Sequence, residues 1–156
     1  IDSGTTNLAM AEALPAELAL TVVTNSPEIA TALLKKPLYD VIILGGPIQR
    51  SSGGSVGTTA ITQVQGILFD QGFIGGCAMA PESGLTGFDY ADCEFKRAVI
   101  KQCNETIVAL TADKIPAVAR YVVAQSSEID VIVVEENISK QYGTAFQAHD
   151  IRIYTV

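Results

Sequence analysis

A mostly parallel β-sheet covered by helices on both faces is the fold class predicted by these 156 residues. Strand-like apolar runs alternate along the chain with helix-periodic segments, which is the pattern of β-α-β units. Several runs, such as Val131–Val134, are apolar at every position, as expected of strands buried on both faces. The turns that follow the strands are short and rich in Gly, Ser, Thr and Asn. In such sheets, ligands bind beyond the carboxyl ends of the strands, where these turns converge.

Ile1-Asp2 reads as the last step of a strand whose beginning lies outside these residues. Ser3-Gly4-Thr5-Thr6 follows, and then a helical pattern through Leu8, Ala11 and Leu14 that Pro15 stops. Leu20–Thr24 is a β-branched strand, after which Ser26 as N-cap and Pro27 at the first helical position start a helix through Leu34. Asp40–Leu44 is a third strand, ending at Gly45-Gly46-Pro47. The loop Ser51–Gly57 leads into a weaker helix ending near Phe69. Gly72–Gly76 reads as a short strand and Pro81–Thr86 as a turn-rich excursion. Asp89–Cys103 is a helix with Ala91, Phe95, Ala98, Val99 and Gln102 on its inner stripe and Asp92, Lys96, Arg97 and Lys101 polar. Strands at Thr106–Leu110, Arg120–Val123 and Val131–Val134, a helix over Lys140–Ala148 and a last strand at Ile151–Tyr154 complete one domain, 1–156, without an internal boundary.

Ten Lys and Arg against 17 Asp and Glu leave a net charge of -7. Such a surface repels a phosphate backbone, so these residues by themselves are not expected to bind nucleic acid. A small anion remains compatible, because backbone N–H groups make a local positive pocket on a negative protein. Three cysteines without a CxxC pair point to a reducing cytoplasm and to neither a disulfide scaffold nor zinc. His149 is the single histidine and lacks partners at ligand spacing, so no metal is expected. No apolar run approaches a bilayer span, so no membrane segment is expected. The motifs Asn104-Glu105-Thr106 and Asn137-Ile138-Ser139 match a glycosylation acceptor by chance.

The best candidate site is Asp2-Ser3-Gly4-Thr5-Thr6. Gly4 permits a tight turn, three hydroxyls can donate, and the first amides of the following helix are unpaired, which together suit a phosphate. A plain helix cap at Thr5 or Thr6 reads almost equally well. Asp2 is unusual at a phosphate and suits a sugar hydroxyl or a turn-orienting role. Thr24-Asn25-Ser26 and Gly45-Gly46 are further turns at strand ends that serve equally as caps and bends. Asp92 and Lys96 stand at i, i+4, the spacing of a solvated ion pair contributing roughly 0.2 to 0.5 kcal/mol, or alternatively Lys96 reaches an anion in the pocket. Asp113-Lys114 lies just past a strand end. The dinucleotide GxGxxG and the P-loop are both absent, which disfavours NAD and ATP, and no cofactor is expected. Neither a GxSxG elbow nor a local Cys-His signature supports hydrolase chemistry.

In order and spacing, Asp2–Thr6, Thr24–Ser26, Leu44–Gly46, Val56-Gly57, Gly84–Thr86, Glu94–Ala98 and Ser127–Asp130 resemble the C-terminal effector-binding domain of DeoR-type transcriptional regulators. The resemblance covers nearly the whole chain. It implies a Rossmann-like fold similar to ribose-5-phosphate isomerase and a phosphorylated sugar or related metabolite as effector. It also implies a separate helix-turn-helix, not among these residues, that binds operator DNA as a repressor, and a homo-oligomer. Asp2, Ser3, Gly4, Thr5 and Thr6 would then hold the phosphate or sugar end. Asn25, Ser26, Gly45 and Gly46 would line the pocket, and Lys96 and Lys114 would meet the ligand's charge. The family's Asp-x-x-Lys-like segment is shortened here to Asp113-Lys114. The alternative reading is a sugar-phosphate isomerase on the same fold, with Asp2 or Glu94 as base and Lys96 stabilising an enediolate.

Overall fold

The computed structural model describes residues 1–156. In chain order it contains α1 (Thr5–Ala13), β1 (Leu20–Thr24), α2 (Pro27–Leu33), β2 (Tyr39–Ile43), β3 (Ile48–Gln49), β4 (Gly54–Ser55) and α3 (Thr58–Gln65). There follow β5 (Phe69–Gly75), β6 (Ala78–Ala80), β7 (Gly84–Gly87), α4 (Tyr90–Ile100), β8 (Cys103–Ala109), β9 (Tyr121–Ala124), β10 (Val131–Val134), α5 (Glu136–Gln147) and β11 (Arg152–Thr155).

Parallel pairing dominates, as the alternation of strands and helices predicts. Four strands run parallel in the order β11-β10-β8-β5, and β1 and β2 form a separate parallel pair. Ile1 and Asp2 lie between these two units: the Ile1 nitrogen donates to the Val23 carbonyl at 2.7 Å, and the Asp2 amide to the Phe73 carbonyl at 2.9 Å.

Successive residues of a strand point to opposite faces, and both faces of β1 are covered. Val22 packs with Ile29 and Leu33 of α2 and Ala11 of α1. Val23 packs on the other side, against a cluster of Leu44, Ala60 and Val64 of α3, and Phe95 of α4. The largest core joins Val108 and Ile132 of the central strands to Ile138 and Phe146 of α5.

Four local expectations are corrected. The excursion at Pro81–Thr86 is in fact a hairpin: β6 and β7 pair antiparallel, and β9 joins β7 to make a small three-stranded sheet. The loop Ser51–Gly57 carries a second hairpin, β3-β4. The helix expected over Asp89–Cys103 ends at Ile100, because Cys103 already pairs with Phe69 in the main sheet. Its caps are as the residue types suggest, with Asp89 accepting from the Asp92 amide at 3.0 Å. Ser26 likewise caps α2, accepting from the Ile29 amide. α5 begins four residues earlier than Lys140, at Glu136.

Candidate functional site

The turn between Asp2 and α1 is held from three sides. The Ser3 amide donates to Asn25 Oδ1 at 2.9 Å, and Asn25 Nδ2 donates to the Ser55 carbonyl at 3.3 Å. Asn7, one turn into α1, donates back to the Asp2 carbonyl at 2.8 Å and to the Phe73 carbonyl at 3.1 Å. The Gly75 amide donates to Asp2 Oδ2 at 2.9 Å. Asn25 and Asn7 are therefore fully buried braces whose amides join the Ser3 turn to β1, β4 and β5.

Two glycines permit this closeness. A Cβ on Gly75 would stand 2.6 Å from the Ser3 carbonyl oxygen, and one on Gly54 would stand 2.7 Å from Ser3 Oγ. Gly4, at φ 138, is the N-cap of α1, and no side chain caps that helix. Thr5 and Thr6 thus occupy the first helical positions, which removes the reading of either as the cap. The first amides of α1 keep their donors available, and the helix dipole adds partial positive charge at the same point.

Beside this turn sits a buried charge cluster. Lys96 pairs with Asp92 one turn earlier on α4 and lies 3.6 Å from Asp2 Oδ2. The side chains of Lys96, Asp92 and Asp2 are 5%, 6% and 0% exposed, so the pair read as solvated is instead interior. Burial pushes the Asp2 carboxyl above its ordinary range, against the pull of Lys96. Burial would draw the Lys96 ammonium down, but Asp2 and Asp92 outweigh it and hold its pKa above the usual value, so it stays charged. Three buried polar atoms lack any partner: Asp2 Oδ1, Ser3 Oγ and Asp92 Oδ1. Orphaned groups of this kind are costly in a finished interior and are suited to a ligand that brings the missing donors.

A cavity of about 460 Å³ opens over these groups. Ser3, Gly4, Thr5, Ser26, Lys96 and Lys114 all line it, so the structure brings together six of the candidate residues. Asp2 and Asn25 lie behind the wall and hold it. Gly45 and Gly46 are not part of the lining: the Gly45 amide bonds Gln63 of α3 at 2.8 Å, and Gly46 packs against Thr59. Thr6 is also outside the lining, one position further into α1. Glu94 pairs with Arg97 on another face of α4, which removes it as a base beside Lys96.

Three further groups of residues, not marked as site candidates by the sequence, contribute to the lining. Gly75, Gly76 and Cys77 form one wall at the carboxyl end of β5, and Phe88 and Asp89 form the entrance to α4. Ser51–Gly53, in the β3-β4 hairpin, closes the opposite side. The placement of the cavity at strand ends was itself legible.

The family model for the DeoR C terminal sensor domain matches residues 1–136. This chain belongs to that family. The sensor domain is similar to the HTH-type transcriptional regulator YgbI of Escherichia coli K12, at 29% identity over 153 residues, which are 98% of this chain and 60% of the relative. It is similar to the HTH-type regulator GolR of Listeria innocua at 27% over 147 residues, 94% of this chain and 58% of the relative. It also resembles the glycerol-3-phosphate regulon repressor of E. coli K12 at 27% over 135 residues, 86% of this chain and 54% of that protein. The chain therefore spans somewhat more than half the length of these relatives. They are regulators, and the matched family is one of sensors rather than of enzymes. No helix of the sensor domain is long and apolar enough to cross a membrane.

Proposed function

We propose that this sensor domain serves a repressor of carbohydrate metabolism and binds a phosphorylated sugar or a related metabolite in the cavity at the Ser3–Thr5 turn. The observation that carries this reading is the meeting of an uncapped helix N-terminus at Gly4 with orphaned buried oxygens on Asp2, Ser3 and Asp92. Free amides and a helix dipole suit a phosphate dianion, and unpartnered carboxylate oxygens suit the hydroxyl donors of a polyol. Lys96 offsets part of the negative charge of the carboxylates that would otherwise repel the ligand, and Lys114 in the lining adds attraction for the phosphate. The repressor named for the glycerol-3-phosphate regulon supports a phosphorylated effector.

In the full-length protein, the effector acts by binding two arrangements of domains or subunits with different affinity, and so shifts operator binding by a helix-turn-helix outside these residues. On this reading the protein works in the cytoplasm, with its operator. Titration calorimetry against a panel of sugar phosphates and their dephosphorylated counterparts tests the reading. Binding of at least one phosphorylated compound, loss of the phosphate preference in Gly4→Val and weakening in Lys114→Ala are expected. Absence of binding across the panel, or equal affinity for the dephosphorylated sugars, overturns it.

A further inference from the structure

The charges around the Ser3–Thr5 cavity do not cancel. Glu28 of α2 and Asp89 and Asp92 at the start of α4 line it, with Lys96 and Lys114 as the only cations in the lining. Asp2 lies directly behind the wall, 3.6 Å from the Lys96 ammonium. Four carboxylates therefore surround two ammonium groups, and even a proton on Asp2, which its burial favours, leaves the carboxylates in excess.

Lys96 is not free to answer a ligand, because it is held between Asp92 and Asp2. A phosphate at the α1 N-terminus has Lys114 as its one unengaged cation in the lining, and it brings about two further negative charges. The chain as a whole, at net charge -7, adds to the repulsion. Between buried groups such repulsion is screened little by salt.

The oxygens without partners belong to the same wall. Asp92 Oδ2 accepts from Lys96, while Asp92 Oδ1 and Ser3 Oγ have no partner. Both residues are buried and both line the cavity. A ligand hydroxyl would bring Asp92 a donor and leave the excess charge in place. An ammonium brings three donors and cancels a charge as well. A metal ion would also cancel charge, but no three His, Cys, Asp or Glu side chains converge to hold one.

We propose that the effector is zwitterionic, a phosphorylated amino sugar whose phosphate meets Gly4, Thr5 and Lys114 and whose ammonium meets Asp92 Oδ1. Asp89, fixed by Gln49 at 2.7 Å and by the Asp92 amide at 3.0 Å, adds a preorganised negative charge beside the ammonium. Glu28 adds another from α2. This inference rests on the phosphate reading of the cavity and assigns the ligand's second charged end.

Titration calorimetry in EDTA, at a mildly acidic pH that keeps the amine protonated, tests it. The ligands are glucosamine, galactosamine and mannosamine 6-phosphates, each compared with its N-acetyl form, its parent hexose 6-phosphate and its unphosphorylated amino sugar. At least one amino sugar phosphate is expected to bind about tenfold or more tighter than its N-acetyl and hexose counterparts, the gain of one charged hydrogen bond. That ratio should fall close to one in Asp92→Asn. Equal affinity for the hexose or N-acetyl phosphates overturns the zwitterion and leaves the phosphate reading standing. Equal affinity for the unphosphorylated amino sugar overturns the phosphate reading instead. Binding by none of the amino sugar phosphates, or a ratio preserved in Asp92→Asn, also overturns the proposal, as does a hexose phosphate raised to parity by adding Mg²⁺. The comparison of ligands on the unaltered protein decides the matter should Asp92→Asn unfold.

Discussion

Replacing Lys96 with Met removes the one cation from an interior cluster that also holds Asp2 and Asp92. With Lys96 present the cluster carries a single net negative charge; without it, two carboxylates share a site where neither is more than 6% exposed. Breaking a buried pair in this way costs about 3 to 5 kcal/mol, because the surviving charge keeps its desolvation penalty and loses its partner. With a urea slope of about 2 kcal/mol per molar for a domain of this size, the unfolding midpoint falls by about 2 M. The control is Lys140→Met, which breaks the i, i+4 pair with Glu136 on α5, where both side chains are at least 70% exposed. That pair is worth about 0.3 to 0.5 kcal/mol, a midpoint shift of about 0.2 M. The deficit of Lys96→Met should also shrink as the pH is lowered toward 4, since protonation of Asp2, which its burial favours, removes one of the stranded charges. A midpoint for Lys96→Met no lower than that of Lys140→Met would refute the buried-cluster reasoning, and a pH-independent deficit would refute its electrostatic cause.

Three further outcomes are expected. Gly75→Ala, whose Cβ would lie 2.6 Å from the Ser3 carbonyl, should cost about 1 to 3 kcal/mol in urea unfolding, while Gly57→Ala, where nothing lies within 4 Å, should stay within about 0.5 kcal/mol; equal effects would contradict the tight approach of β5 to the turn. Asp2→Asn should make stability less dependent on pH. Because burial raises the folded-state pKa of Asp2 above 3.8, the contribution of this group is complete below that value and declines as pH rises through the folded pKa, so wild type should lose stability relative to the variant as pH rises from 3.8. The edge strand β2 presents Ile42 and Ile43 at 45% and 49% exposure, which favours self-association; light scattering should show an oligomer that Ile43→Lys shifts toward the monomer, and a wild-type monomer at all concentrations would contradict this.

What could be read from the chain alone follows the range of the interactions involved. The Ser26 cap, the strand at Leu20–Thr24 and the turn at Gly4 depend on neighbours within a few residues, and the local pattern carries them. The strand at Arg120–Val123 was legible and is β9, but the β6-β7 hairpin it joins was not, because those strands are three and four residues long and include Gly84 and Gly87, whose composition reads as turn. The inward direction of Lys96 was illegible for a different reason. Helical periodicity sorts apolar from polar positions, and a polar stripe that is buried against a partner from another segment, here Asp2, looks solvated until the two are brought together. Gly54 and Gly75 likewise have their reason in Ser3, more than 50 residues distant. Gly45 and Gly46 illustrate the opposite case, a strand-end glycine pair whose local appearance suits a ligand but whose contacts are with α3.

The central claim is that the Ser3–Thr5 turn receives the phosphate of a phosphorylated effector. Amide chemical shifts of the isotope-labelled domain, followed during addition of a sugar phosphate that binds and then of the same sugar without its phosphate, test it most directly. Saturable shifts of the Gly4, Thr5 and Thr6 amides with the phosphorylated compound, and little change there with the free sugar, are expected. Binding that leaves these three amides unmoved, or that moves them equally with either compound, would contradict it.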